Sequence, residues 1–156
     1  MTQAMPFLLG LSPLAGRSLT AQLDAGNLTS NGGLIVLREA ALRLKIADVI
    51  AGPLPDKRNP ALILLHTYGE MVTARVMAIA AGYEDADDLD ALRNDPALMI
   101  ACGRAPETGR DIPSQPTISR LENLADEATL KQIATGFIDL FCLSYTPNIK
   151  SATPSR

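Results

Sequence analysis

Apolar positions along the chain repeat at helical spacing over most of its length, and punctuation between the repeats divides it into short elements. Leu34, Leu37, Ala41 and Leu44 fall on one face of a helix that opens after LTSNGG, Leu28 to Gly33, where Ser30 or Asn31 can cap. Glu39 and Arg43 sit four residues apart on it, a pairing that adds only about 0.2–0.5 kcal/mol, so the apolar stripe decides the helix. The turn from Gly52 to Pro60 stops this pattern. Asn59 followed by Pro60 is a cap followed by a residue preset for the first helical position. It predicts a nearly all-apolar helix to about Ala81, with Gly82 as its left-handed stop, and a helix apolar on every side belongs at the centre of a cluster. Asp95 and Pro96 repeat the device for a short helix, Ala97 to Cys102. Asp126 caps a last helix with the stripe Leu130, Ile133, Phe137, Leu140 and Phe141.

Only one stretch alternates. Leu19, Ala21, Leu23 and Ala25, between Arg17 and Gly26, predict a short strand, which cannot be stable alone. The expected fold is therefore mainly α, a small helical domain over residues 17–144 with a short amino-terminal β-strand or hairpin. Residues 1–16 carry no sustained period and read as a loosely packed arm, and the pattern dissolves again over residues 145–156.

Composition narrows this picture. A chain of 156 residues, 47% hydrophobic and 20% charged, suits one packed domain that needs no staples. Its two cysteines, Cys102 and Cys142, lie in apolar stretches without metal-like spacing and read as free core thiols of a reducing cytoplasm. The apolar start is interrupted by Pro6 and Pro13 and lacks a preceding basic region, so no secretory signal is expected. His66, Glu70 and Arg75 break the most hydrophobic span, Ala61 to Ala81, which argues against a membrane helix.

Candidate chemistry is sparse. Glu84, Asp85, Asp87, Asp88, Asp90 and Asp95 face the single Arg93, giving this stretch a net charge of −5 in a chain of −3. No calcium-loop spacing is present, and helix starts at Asp87, Asp88 and Asp95 account for the acids without a metal. The lone His66, in the most apolar predicted helix, reads as a core or partly exposed residue and not a catalytic base.

Two strings carry more. GYEDADDLDALRNDPAL, from Gly82 to Leu98, and SQPTISRLEN, from Ser114 to Asn123, occur in register with LTSNGG and with ARVMAI, Ala74 to Ile79. In this order and spacing the chain resembles the amino-terminal region of DDE-type insertion-sequence transposases, over about Leu23 to Tyr145. The resemblance implies a ribonuclease-H-like catalytic domain in which two Asp and one Glu hold two divalent ions, Mg in the full-length family. It places the first Asp on an apolar strand soon after the helix that ends here near Ser144. Tyr145 to Arg156 contain no Asp or Glu, and Asp111, Asp126 and Asp139 have no pattern that makes them converge. The expectation is a fragment truncated before its catalytic residues, with no catalytic or metal site, no cofactor of its own and no activity alone.

What such a fragment can still do is contact transposon ends. SQPTISRLEN reads as a recognition helix: a capping Ser, Ile118 and Leu121 toward the core, and Gln115, Thr117, Ser119 and Arg120 offering donors to bases and phosphates. The connection from Arg104 to Pro113 is longer than the three- or four-residue turn of a helix-turn-helix motif. A pI of about 5.1 gives no general basic field. Arg38, Arg43, Lys45 and Arg75, with Lys57 and Arg58, are the candidates for a local basic face. The expected partners are transposon-end DNA and a second transposase chain, as a homo-oligomer or by pairing with an intact relative, and no membrane. The alternative is an independent helix-turn-helix-like DNA-binding regulator or interaction protein.

Overall fold

A computed structural model of the chain describes residues 11–19, 31–59 and 65–145. They form helices α1 (Leu34–Leu44), α2 (Ile46–Ala51), α3 (Tyr68–Ala80), α4 (Leu89–Leu92), α5 (Pro96–Ala101), α6 (Gln115–Glu122) and α7 (Glu127–Tyr145). The mainly helical expectation holds. Among the described residues the only β feature is a bridge between Leu14 and Arg17, and most of the expected strand lies outside them.

Helix α3 is the centre of the assembly, packing against α1, α2, α5 and α6. It buries Met71, Val72, Ala74, Met77 and Ala78, around which Leu34, Leu89, Leu98, Ile112 and Ile118 close the core. Its start corrects the expectation. Thr67 and Glu70 form a reciprocal capping box, in which Thr67 Oγ1 accepts from the Glu70 N–H and Glu70 Oε2 accepts from the Thr67 N–H. That second start signal inside the apolar run places the helix at Tyr68, well after Asn59 and Pro60, and leaves His66 in the segment ahead of it. The predicted stop is met: Gly82 has φ +94°, and the N–H groups of Gly82 and Tyr83 return to the carbonyls of Ile79 and Ala78.

The first helix differs in two ways. Its N-cap position falls on Gly33 in place of Ser30 or Asn31, and Lys45, in the left-handed region at φ +53°, breaks the chain into α1 and α2. The Glu39–Arg43 ion pair does not form. Glu39 binds its neighbour Arg38 at 2.9 Å, and both bind Ser12 of the arm: the Ser12 N–H and hydroxyl donate to Glu39, and Arg38 donates to the Ser12 carbonyl. This clip turns Arg38 inward, so that it is buried while Leu37 and Leu44 remain exposed. Burial alone would raise the Glu39 pKa, but the Ser12 hydrogen bonds and the Arg38 charge together hold it below its ordinary value.

Caps elsewhere follow the sequence. Asp95 accepts from the Leu98 N–H at 2.8 Å at the start of α5, and Asp126 accepts from the Thr129 N–H at 2.8 Å at the start of α7. The stripe expected on α7 is only partly buried: Ile133 and Leu140 are half-buried, and Leu130, Phe137 and Phe141 are exposed. Of the two cysteines, burial pushes the Cys102 thiol up to about 12, against the opposing pull of Arg104, so it is inert; Cys142 is exposed and not a core thiol. No helix of the described residues is long and apolar enough to cross a membrane.

Candidate nucleic-acid interface

Helix α6 is amphipathic in the way its sequence predicts. Ile118 and Leu121 are buried against the core, and Arg120 projects outward, exposed. Ser114 occupies the N-cap position but its hydroxyl does not cap the helix; it bonds the Thr117 hydroxyl at 3.1 Å. The free N-terminal N–H of Gln115 donates instead to Asp90 Oδ1, 3.0 Å away on α4, placing a carboxylate at the positive end of α6. The acidic run thus has structural work beyond its own helices. Asp85 accepts from the Asp87 N–H, Asp90 serves α6 and Asp95 caps α5.

The predicted contact residues separate into two groups. Gln115 Nε2 donates to Ser119 Oγ, and both line an open pocket with Arg75, Glu84, Asp85 and Glu122, where acids outnumber the one cation. Arg75, on α3, is already saturated: it pairs with Glu122 of α6 and donates to the Tyr83 and Glu84 carbonyls, stapling α6 and the following loop to the central helix. Thr117 is half-buried, and Arg38 is committed to the Ser12–Glu39 clip. Arg120, Arg43 and Lys45 are the members of the set that remain exposed. Of the two further basic residues, Lys57 is exposed. Arg58 is held by Asp56 at 2.6 Å, donates to the His66 carbonyl and lies 3.9 Å over the Tyr68 ring.

The α5–α6 connection, residues 102–114, is not a helix-turn-helix turn. It is a packed loop organised by Arg104, a residue the sequence reading did not single out. Gly103, at φ +77°, ends α5 with its own N–H and that of Arg104 returned to the carbonyls of Ile100 and Met99, which aims Arg104 back under the loop. The buried guanidinium donates to the Arg110 and Asp111 carbonyls, both at 3.0 Å, and to Glu70 Oε1 at 3.1 Å. It also lies 3.2 Å from His66 Nδ1; because arginine only donates, that nitrogen accepts and the imidazole proton sits on Nε2. A left-handed glycine immediately before an arginine was the available signal.

The same cluster makes stability pH-dependent. Burial, then the Arg104 charge, pulls the His66 pKa below its ordinary 6.5. Burial opposes ionisation of Glu70, but the Thr67 hydrogen bonds and Arg104 together hold its pKa below 4.5. Both groups bind protons more readily when unfolded, so their contribution is complete above pH 6.5 and declines as pH falls, first through His66 and then, below 4.5, through Glu70. Melting temperatures measured from pH 8 to pH 4 should fall in those two stages, and His66→Gln, which keeps an acceptor for Arg104, should abolish the first. An unchanged profile in the variant would contradict this assignment.

A family model described as the transposase DDE domain, group 1, matches residues 11–153. The chain therefore belongs to the DDE transposases. Comparison with curated proteins and with solved structures returned no match. DDE transposases work with divalent metal, and DNA is the partner class the family implies. Among the described residues no three of the His, Cys, Asp or Glu side chains converge to hold an ion, so those residues do not fit the metal pair.

Proposed function

We propose that this chain serves DNA transposition as the helical, end-contacting portion of a DDE transposase. The observation that carries the reading is the orientation of α6: its inner face is locked by Ile118 and Leu121 while Arg120 stands exposed in the last turn. An exposed arginine on a rigid helix suits a bidentate contact to a guanine edge or to a phosphate. Arg43 and Lys45, at the α1–α2 junction, add exposed charge suited to phosphates. Gln115 and Ser119 take a lesser part, because the acidic pocket beside them repels the backbone.

The test is binding of the purified chain to a duplex carrying the transposon's inverted repeat, against a scrambled duplex of equal length. Preference for the repeat is the expected result, with no cleavage in the presence of magnesium. Equal affinity for both duplexes would reject end recognition, and magnesium-dependent cleavage would reject a purely end-contacting role.

A further inference from the structure

Basic side chains from separate parts of the sequence meet at the Arg104 loop. His66 lies ahead of α3, Arg93 follows α4, and Arg110 sits in the α5–α6 connection. Arg104 ties them together: its guanidinium lies 3.2 Å from His66 Nδ1 and donates to the carbonyls of Arg110 and Asp111, while Arg93 donates to the Asp111 carboxylate at 3.1 Å.

We infer that His66, Arg93 and Arg110 form a phosphate site, whose occupant is a phosphate of the DNA backbone. The choice of DNA as occupant rests on the function proposed above; the site itself does not.

Donors are left over here. Arg93 Nε is a buried N–H with no acceptor among the described residues. Arg110 is exposed and pairs with no acid among them. Because Arg104 occupies Nδ1 of His66, the imidazole proton sits on Nε2, and that N–H has no acceptor among the described residues either. A buried donor is costly to leave unmet, so an acceptor from outside the fold is favoured.

The acids around the cluster are mostly engaged. Glu70 holds Thr67 and Arg104, Asp111 holds Arg93, and Asp56 holds Arg58, which donates to the His66 carbonyl. Glu107, exposed on the loop, is the remaining acid of this connection. Burial first, then the charges of Arg104, Arg110 and Arg93, keeps the His66 pKa below its ordinary value against the opposing pull of Glu70, so the potential at the ring is net positive. A phosphodiester only accepts hydrogen bonds, which suits a neutral imidazole N–H beside two guanidiniums.

The loop holds the Arg110 backbone in place. The Gly109 N–H donates to the Ala105 carbonyl at 2.7 Å, and a Cβ at Gly109 would lie 2.5 Å from that oxygen, so glycine lets the turn close. Ile112 and Pro113 anchor the following residues in the core. Arg110 therefore has only side-chain freedom to lose on binding.

Inorganic phosphate and duplex DNA separate the site from its occupant. His66 is the chain's one histidine, so its ring resonances report on this site alone. At constant ionic strength, phosphate should shift them in a saturable way, and Arg110→Ala should weaken that binding by about fivefold or more without altering the resonances of the free protein. The inverted-repeat duplex and a scrambled duplex should both shift the same resonances, because a phosphate contact does not read sequence. For either duplex, Arg110→Ala should reduce the log–log salt slope by about one. No saturable shift with phosphate and none with either duplex would overturn the site, and unchanged phosphate affinity in Arg110→Ala would remove Arg110 from it. Duplexes that bind without moving the His66 resonances would overturn the DNA occupant and leave the reading of α6 standing. Duplexes that fail to bind at all would sink the DNA-contact function, while a phosphate shift would still establish the site.

Discussion

Arg104→Leu will lower the melting temperature by roughly 6–12 °C, the equivalent of about 3 kcal/mol in a domain of this size. The guanidinium is 8% exposed and satisfies two loop carbonyls, one carboxylate and one imidazole nitrogen. Leucine fills part of the space but donates nothing, so the Arg110 and Asp111 carbonyls lose their partner in a part-buried site. Glu70 is penalised less, because its side chain is 38% exposed and keeps the Thr67 hydrogen bonds. Lysine at this position should recover only part of the loss, since one ammonium cannot reproduce the fork that reaches both carbonyls. Thermal unfolding of the two variants checks this. A shift within about 1 °C for leucine would mean that the loop is held by Ile112 and Pro113 alone.

The second large effect separates the two faces of α6. Ile118 is fully buried, and Ile118→Ala should cost about 2–5 kcal/mol, because the transfer term is joined by a cavity that a short helix pinned between Asp90 and Arg75 cannot collapse. Arg120→Ala, two residues further on, removes an exposed side chain and should change stability by less than about 0.5 kcal/mol. Chemical denaturation of both variants gives the comparison directly. Comparable losses would mean that Arg120 has a packing role and is not displayed for a partner.

Much of this fold was legible in the sequence because local signals decided it. The Asp95–Pro96 start, the Asp126 cap and the Gly82 stop each act within a few residues, and each stands where the pattern put it. The periodicity failed where partners are distant. Nothing near Arg38 announces Ser12, twenty-six residues away, which accepts from the buried Arg38 while Leu37 stays exposed. The start of α3 was misplaced because two start signals compete in one apolar run, and the capping box at Thr67 and Glu70 takes the helix. On α6 the inward and outward positions were readable from spacing, but the acidic pocket beside Gln115 and Ser119 is built from residues 75, 84, 85 and 122, and no local reading gathers them. Arg104 was overlooked for the same reason, since its acceptors come from α3 and from the far end of its own loop. The exposed stripe of α7 shows the converse: a pattern predicts an apolar face but not whether the chain itself covers it.

The central claim is that Arg120 carries contact with transposon-end DNA. The most direct measurement is the affinity of the native chain and of Arg120→Ala for the inverted-repeat duplex over a salt series. A base contact predicts a loss of about 1–3 kcal/mol on the repeat and little on a scrambled duplex; a phosphate contact predicts loss on both, with the log–log salt slope reduced by about one. Either result, at unchanged stability, places Arg120 on the DNA. Identical affinities and slopes for the two proteins would contradict the account.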